Sequence, residues 1–170
     1  GNSDWYTSAV TATLISTDSC SGVKEIAYNL DGNPIVIPGS RASLTISTDG
    51  VHGISYSATD NSGNSERTKT VEIKEDKTAP VITASANPSV NANGWNNTDV
   101  TVAFTCSDAT SGIATCTSPV TVTTEGSGQS VCGSAVDNAG NSATACLTLN
   151  IDKTAPVLDV TVNPGLLWPP

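Results

Sequence analysis

Apolar and polar residues alternate with a period of two along most of this chain. Val10, Ala12 and Leu14 are separated by Thr11 and Thr13, and Val100, Val102 and Phe104 by Thr101 and Ala103. Ile54, Tyr56 and Ala58 alternate with Ser55 and Ser57, Val71 and Ile73 with Thr70 and Glu72, and Leu147 and Leu149 repeat the pattern later. Successive side chains of a strand point to opposite faces. Each stretch therefore predicts an antiparallel strand with one face on a core and the other in water. No stretch places apolar residues at i, i+3, i+4 and i+7, so no amphipathic helix is expected. Clusters of Gly, Asn, Asp and Ser separate the stretches at the spacing of a sandwich.

The pattern is written twice. "SATDNSGNSE" at Ser57–Glu66 returns as "SAVDNAGNSA" at Ser134–Ala143, 77 positions on. "WYTSAVTATLISTDSCSG" from Trp5 aligns with "WNNTDVTVAFTCSDATSG" from Trp95, placing Asp18 on Asp108 and Ser21–Gly22 on Ser111–Gly112. "DKTAPVITASANP" (Asp76–Pro88) aligns with "DKTAPVLDVTVNP" (Asp152–Pro164). The first copy carries about thirteen more residues in its middle, around "LDGNPIVIPGS". A module of this size with about seven strands predicts an immunoglobulin-like sandwich. The expected fold is all-β: two tandem immunoglobulin-like antiparallel β-sandwiches with a C-terminal extra strand. Residues 1–76 form repeat 1, lacking its own first strand, and 77–153 form repeat 2. Residues 154–170 are the first strand of a following repeat, or a donor strand.

The stretches "SGVKEIAYNLDG", "YSATDNSGNSE", "VEIKEDKTAP" and "LLWPP" resemble tandem bacterial immunoglobulin-like and hyalin-type (HYR-like) repeats of large extracellular surface proteins. The resemblance spans nearly the whole chain. It implies a stalk, an adhesive module or an accessory domain of an extracellular enzyme, without selecting among them.

The chain is thus expected to be offset by one strand, short at the front and long at the back, which has two accounts. One is a segment of a longer repeat protein. The other is exchange, in which residues 155–170 of one chain complete repeat 1 of the next and build a head-to-tail filament, because a free sheet edge invites strand addition. The expected partners are neighbouring repeats or identical subunits, and the surface leaves room for a glycan or surface ligand.

The net charge of −9 repels nucleic acid. No apolar run approaches the ~20 residues of a membrane-spanning helix. Five cysteines without a Cys-x-x-Cys pair, and one histidine in the other half of the chain, argue for disulfides and an extracellular location rather than for zinc. Cys132 and Cys146 are equidistant from Ala139, and parity puts both on the outward face, so a cross-strand bridge is expected. Cys106 continues the inward series of Val100, Val102 and Phe104, and Cys116 aligns with Ile26; both should face the core, giving Cys106–Cys116. A sheet-to-sheet bridge from Cys106 to Cys132 is the rival. Cys20 is left unpaired.

Catalytic constellations are sparse. There is no nucleophile elbow and no phosphate loop, and the recurring acids follow the repeat rather than forming one pair, so no enzyme activity is expected. His52 reads as a turn residue. Metal is better supported. In a sandwich, the loops carrying Asp108 and Asp137 lie at the end where the linker residue Asp76 enters, and such carboxylates suit Ca²⁺. Asp18 and Asp60 would gather in the same way around a preceding linker, with Asp152 in a following one. No cofactor is required. The same Asp and Asn residues also suit tight turns, through side-chain bonds to the backbone. Trp5 and Trp95 read as residues closing the core's end, or, if exposed, as platforms for sugar rings. "NNT" makes Asn96 a weak glycan acceptor.

Overall fold

The alternating stretches become strands because their apolar faces have one another to cover. The computed structural model describes residues 4–162 and is built of thirteen strands. In repeat 1 these are β1 (Trp5–Tyr6), β2 (Val10–Ile15), β3 (Val23–Leu30), β4 (Asn33–Pro38), β5 (Arg41–Ile46), β6 (Gly50–Asp60) and β7 (Lys69–Glu75). Repeat 2 has β8 (Val81–Asn87), β9 (Val100–Ser107), β10 (Ile113–Cys116), β11 (Val120–Val122), β12 (Gly126–Asp137) and β13 (Ser142–Ile151).

Each repeat is a sandwich of two sheets. Repeat 1 packs a sheet of order β1-β7-β6-β3-β4 on the pair β2-β5. Its core joins Ile26 and Tyr28 of β3, Ala42, Leu44 and Ile46 of β5, Ile54 of β6 and Ile73 of β7, with Val10, Ala12 and Leu14 of β2 against them. Repeat 2 packs β10-β12-β13 on β11-β9-β8 around Val100, Val102, Phe104, Leu149 and Ile151. Burying each Val, Leu, Ile or Phe of these cores contributes about 1.5–3 kcal/mol, which is why the period-two pattern decides the faces.

The longer middle of repeat 1 is an edge hairpin. Asp31 and Gly32 both have positive φ (51° and 87°), as a type I′ turn demands, and β4 returns beside β3. Its two prolines, Pro34 and Pro38, suit an edge, where a missing N–H breaks no ladder. Gly133 on β12 is obligatory for another reason: a Cβ there would lie 2.6 Å from the ring of Phe104.

Repeat 1 opens on the short strand β1, which runs parallel to the end of β7 (Trp5↔Lys74, Tyr6↔Glu75). Repeat 2 shows the same contact as a single parallel bridge, Asn96↔Ile151. What repeat 1 lacks, among the described residues, is the counterpart of β8 along β2. The expected C-terminal strand is not a strand where it is described. Residues 154–162 are exposed and unpaired, and 163–170 lie outside the described residues.

Candidate functional site

The site is the joint between the repeats. β7 ends at Glu75, and Asp76 follows with no exposed surface. Its N–H donates to the carbonyl of Tyr6 in repeat 1 (2.9 Å). Its Oδ1 accepts from the N–H of Thr78 (3.0 Å), and its Oδ2 from the N–H of Ser111 in repeat 2 (3.1 Å). Its carbonyl accepts from Asn141 Nδ2 (3.0 Å). One residue is thus bonded to both sandwiches.

Two further carboxylates meet it. Asp108 Oδ1 collects the N–H groups of Thr110, Ser111 and Gly112, and Asp137 Oδ1 those of Gly140 and Asn141. Asp137 Oδ2 accepts from Asn141 Nδ2 (2.8 Å). Asp76, Asp108 and Asp137 each offer an oxygen, and these oxygens lie within 4.8 Å of one another. At that separation each pair of charges repels by roughly 3–4 kcal/mol in a surface-like dielectric, which is offset by the collar of N–H donors. The oxygens also suit a cation. All are hard donors, and two oxygens on opposite sides of a Ca²⁺ stand about 5 Å apart. Ser111 Oγ, on the residue whose N–H binds Asp76 and Asp108, is buried without a hydrogen-bond partner.

The matching carboxylates of repeat 1 are placed alike, but among the described residues no third carboxylate meets them. Asp18 Oδ1 accepts from the N–H groups of Cys20, Ser21 and Gly22, and Asp60 Oδ1 from those of Ser62 and Asn64. The side-chain amide of Asn64 at 2.8 Å, with further donors, holds the half-buried Asp60 carboxyl below its ordinary value. Asp152 is exposed, with its Oδ1 accepting from the N–H of Thr154 (3.0 Å).

A second element of the joint escapes a motif search. Lys77 donates its N–H to Asp49 and its Nζ to the carbonyl of Ser47 and to Glu75, while the Thr78 hydroxyl donates to Asp49. Those bonds, the Thr78 hydroxyl first, hold the Asp49 carboxyl low, and Glu75 raises Lys77. The second "DKTAP" does the same: Lys153 N–H and the Thr154 hydroxyl donate to Glu125, and Lys153 Nζ to the carbonyl of Thr123. The signal for this latch was Asp49 and Glu125 standing at the same offset as the two "DKTAP" stretches.

Cys106 is bridged to Cys116 and Cys132 to Cys146, while Cys20 is free and exposed. Cys132 and Cys146 stand directly opposite on β12 and β13, on the exposed face. Cys116 does not face the core. It lies exposed at the end of β10, the edge strand of its sheet, so the bridge from Cys106 on β9 reaches across to the other sheet. His52 is no turn residue; it is buried on β6, with Nδ1 2.7 Å from Asp31 Oδ2 and Nε2 2.8 Å from the carbonyl of Thr48. Both Trp side chains depart from a buried end of the core: Trp5 is half-buried, and Trp95 is 37 % exposed. Asn96 is not presented for glycosylation. It is buried, and its amide donates to the carbonyls of Pro88 and Ser89, so a glycan would have to break both bonds and open the loop.

No family model matches the chain, and no curated protein matches it. Among solved structures it is similar to fibronectin(III)-like modules of CbhA from Clostridium thermocellum. There the identity is 9 % and the TM-score 0.38, over 92 % of this chain and 93 % of that one. It is also similar to a chain from a 1.5-MDa bacterial ice-binding adhesin, studied for host cell surface retention. There the identity is 16 % and the TM-score 0.37, over 88 % of this chain and 59 % of that one. The assignment as immunoglobulin-like sandwiches rests on the strand pairing itself.

Proposed function

We propose that the chain is a non-catalytic structural or adhesive segment of an extracellular surface protein, whose modules are joined end to end through the linker carboxylate. The observation that carries this reading is Asp76. A flexible tether would leave its linker solvated, whereas this one buries a carboxylate and divides its hydrogen bonds between two sandwiches. The two disulfides support an oxidising, extracellular setting.

The close approach of Asp76, Asp108 and Asp137 favours a second feature of the same joint, Ca²⁺ binding. The ion would neutralise their mutual repulsion and stiffen the link. Limited proteolysis of the stretch Asp76–Pro80 tests both features. The wild type should resist cleavage and Asp76→Ala should be cut readily. Calcium should protect the wild type further, and EGTA should reverse that protection. Equal cleavage of the two chains defeats the rigid joint, and indifference to calcium and EGTA defeats the metal.

A head-to-tail reading is favoured by the exposed apolar segment beyond Asp152. Val157, Leu158, Val160 and Val162 are 92 %, 89 %, 77 % and 80 % exposed.

A further inference from the structure

Repeat 2 shows what a complete module looks like, and the comparison exposes a socket in repeat 1. In repeat 2, β8 lies antiparallel along β9, with Ile82, Ala84 and Ala86 turned into the core. In repeat 1, among the described residues, β2 is bonded on one side only, to β5. Beside its free edge a cleft of about 300 Å³ opens between the sheets, lined by Leu14, Ile26, Tyr56 and Ala58 among others. A second cleft of about 270 Å³ continues it toward Asp18 and Asp60, sharing Ser16, Ala58 and Glu66 with the first.

We infer that residues 152–162 of one copy of this chain occupy that socket on a second copy, adding a strand to β2 and rebuilding there the joint seen at Asp76. This rests on the head-to-tail reading above and gives it a register. Carrying the β8–β9 pairing over by the repeat offsets sets Leu158 opposite Ser16, Val160 opposite Leu14 and Val162 opposite Ala12. The three apolar donors then all face inward, on the side where Ala12 and Leu14 already pack on the core. Sizes compensate pair by pair. Repeat 2 sets Ala84 against Phe104 and Ala86 against Val102. The new pairs are Val160 against the smaller Leu14 and Val162 against the smaller Ala12. A close-packed core rewards such conservation of volume.

Charge agrees on the outer face. Asp159 falls opposite Ile15, which is itself paired with Arg41 on β5. Among the described residues Arg41 has no ion-pair partner, so carboxylate and guanidinium would stand across one strand from each other. The end of the socket is prepared as well. The Asp18–Gly22 turn presents Ser21 as the Asp108–Gly112 turn presents Ser111 to Asp76. Asn141 Nδ2 donates to the carbonyls of Asp76 and Thr78 as well as to Asp137, whereas its counterpart Asn64 donates to Asp60. Asp152 already holds the turn geometry of Asp76, with its Oδ1 on the N–H of Thr154.

The test uses the full chain with Cys20→Ser. Thr13→Cys and Thr161→Cys are made in separate preparations, mixed and oxidised; the two positions stand directly opposite in the inferred register. A disulfide-linked pair of chains on a non-reducing gel is expected, with an assembled native mass by light scattering. Val160→Asp, at a site exposed in the free chain, should cut the assembled fraction at least tenfold without moving the melting midpoint of the unassembled chain. Assemblies that form but never cross-link at these positions overturn the register while leaving the head-to-tail reading intact. A mass of one chain at all concentrations overturns both. If both substitutions in one chain give a cross-linked monomer, the second copy is the wrong occupant.

Discussion

The stretches Asp76–Pro80 and Asp152–Pro156 are the same five residues in two different settings. In both, the Lys and Thr are latched to the sandwich behind, through Asp49 in one case and Glu125 in the other. In both, the Asp caps the Thr two residues on. Yet Asp76 is fully buried and Asp152 is exposed. The motif therefore has two halves. Lys-Thr fastens the linker to the module it leaves, by bonds within that module that both copies make. Asp reaches for the module ahead, and its burial depends on whether loops like those of Asp108 and Asp137 stand there to receive it.

The largest difference expected between the two copies is at the loop carboxylates. Asp137→Ala removes the acceptor for two N–H groups and for Asn141 in a buried site, so repeat 2 should lose about 2–4 kcal/mol in denaturant unfolding. Asp60→Ala makes the same deletion in an exposed turn and should shift repeat 1 much less. Equal losses would break the comparison.

Covalent staples differ next. Both disulfides lie in repeat 2, closing loops with separations of 10 and 14 residues. Each contributes about 2–3 kcal/mol if it acts by restricting the unfolded chain. Reduction should lower the melting transition of repeat 2 alone. A matching drop in repeat 1 would mean that the two modules unfold as one.

The smallest effect expected is a pH dependence private to repeat 1. The hydrogen bond to Asp31 raises His52 above its ordinary 6.5, and the same bond lowers Asp31 below 3.8. The stability from His52 is present below pH 6.5 and is lost as pH rises through the raised value. That from Asp31 is present above pH 3.8 and is lost as pH falls through the lowered one. Repeat 1 should therefore melt highest between these limits. His52→Gln should flatten the alkaline side and leave repeat 2 untouched. A profile shared by both repeats would assign the titration elsewhere.

Much of the fold was legible, because the period-two pattern acts locally: Val10, Ala12 and Leu14 face inward in any sandwich that uses them. The meeting of Asp76, Asp108 and Asp137 also follows from chain order, since those loops and the entering linker share an end. Three features were not legible, for a common reason. Asp31 and His52, Asp49 and Thr78, and Glu125 and Thr154 are pairs distant in sequence; the repeat offset marks Asp49 and Glu125 as counterparts but does not say which residue each meets. Asn96 and Cys116 misled because their types and alignment are silent about depth, which neighbours on other strands decide.

By itself, then, the sequence determined the strand faces, the duplication and the two five-residue linkers. The tertiary structure alone decided which linker carboxylate is buried, and how Leu14 with Tyr56 in one copy replaces Phe104 with Gly133 in the other. Local pattern sets the direction in which a side chain points. Its environment is set by partners far along the chain, and two identical pentapeptides differ as soon as one has a module ahead of it and the other, among the described residues, does not.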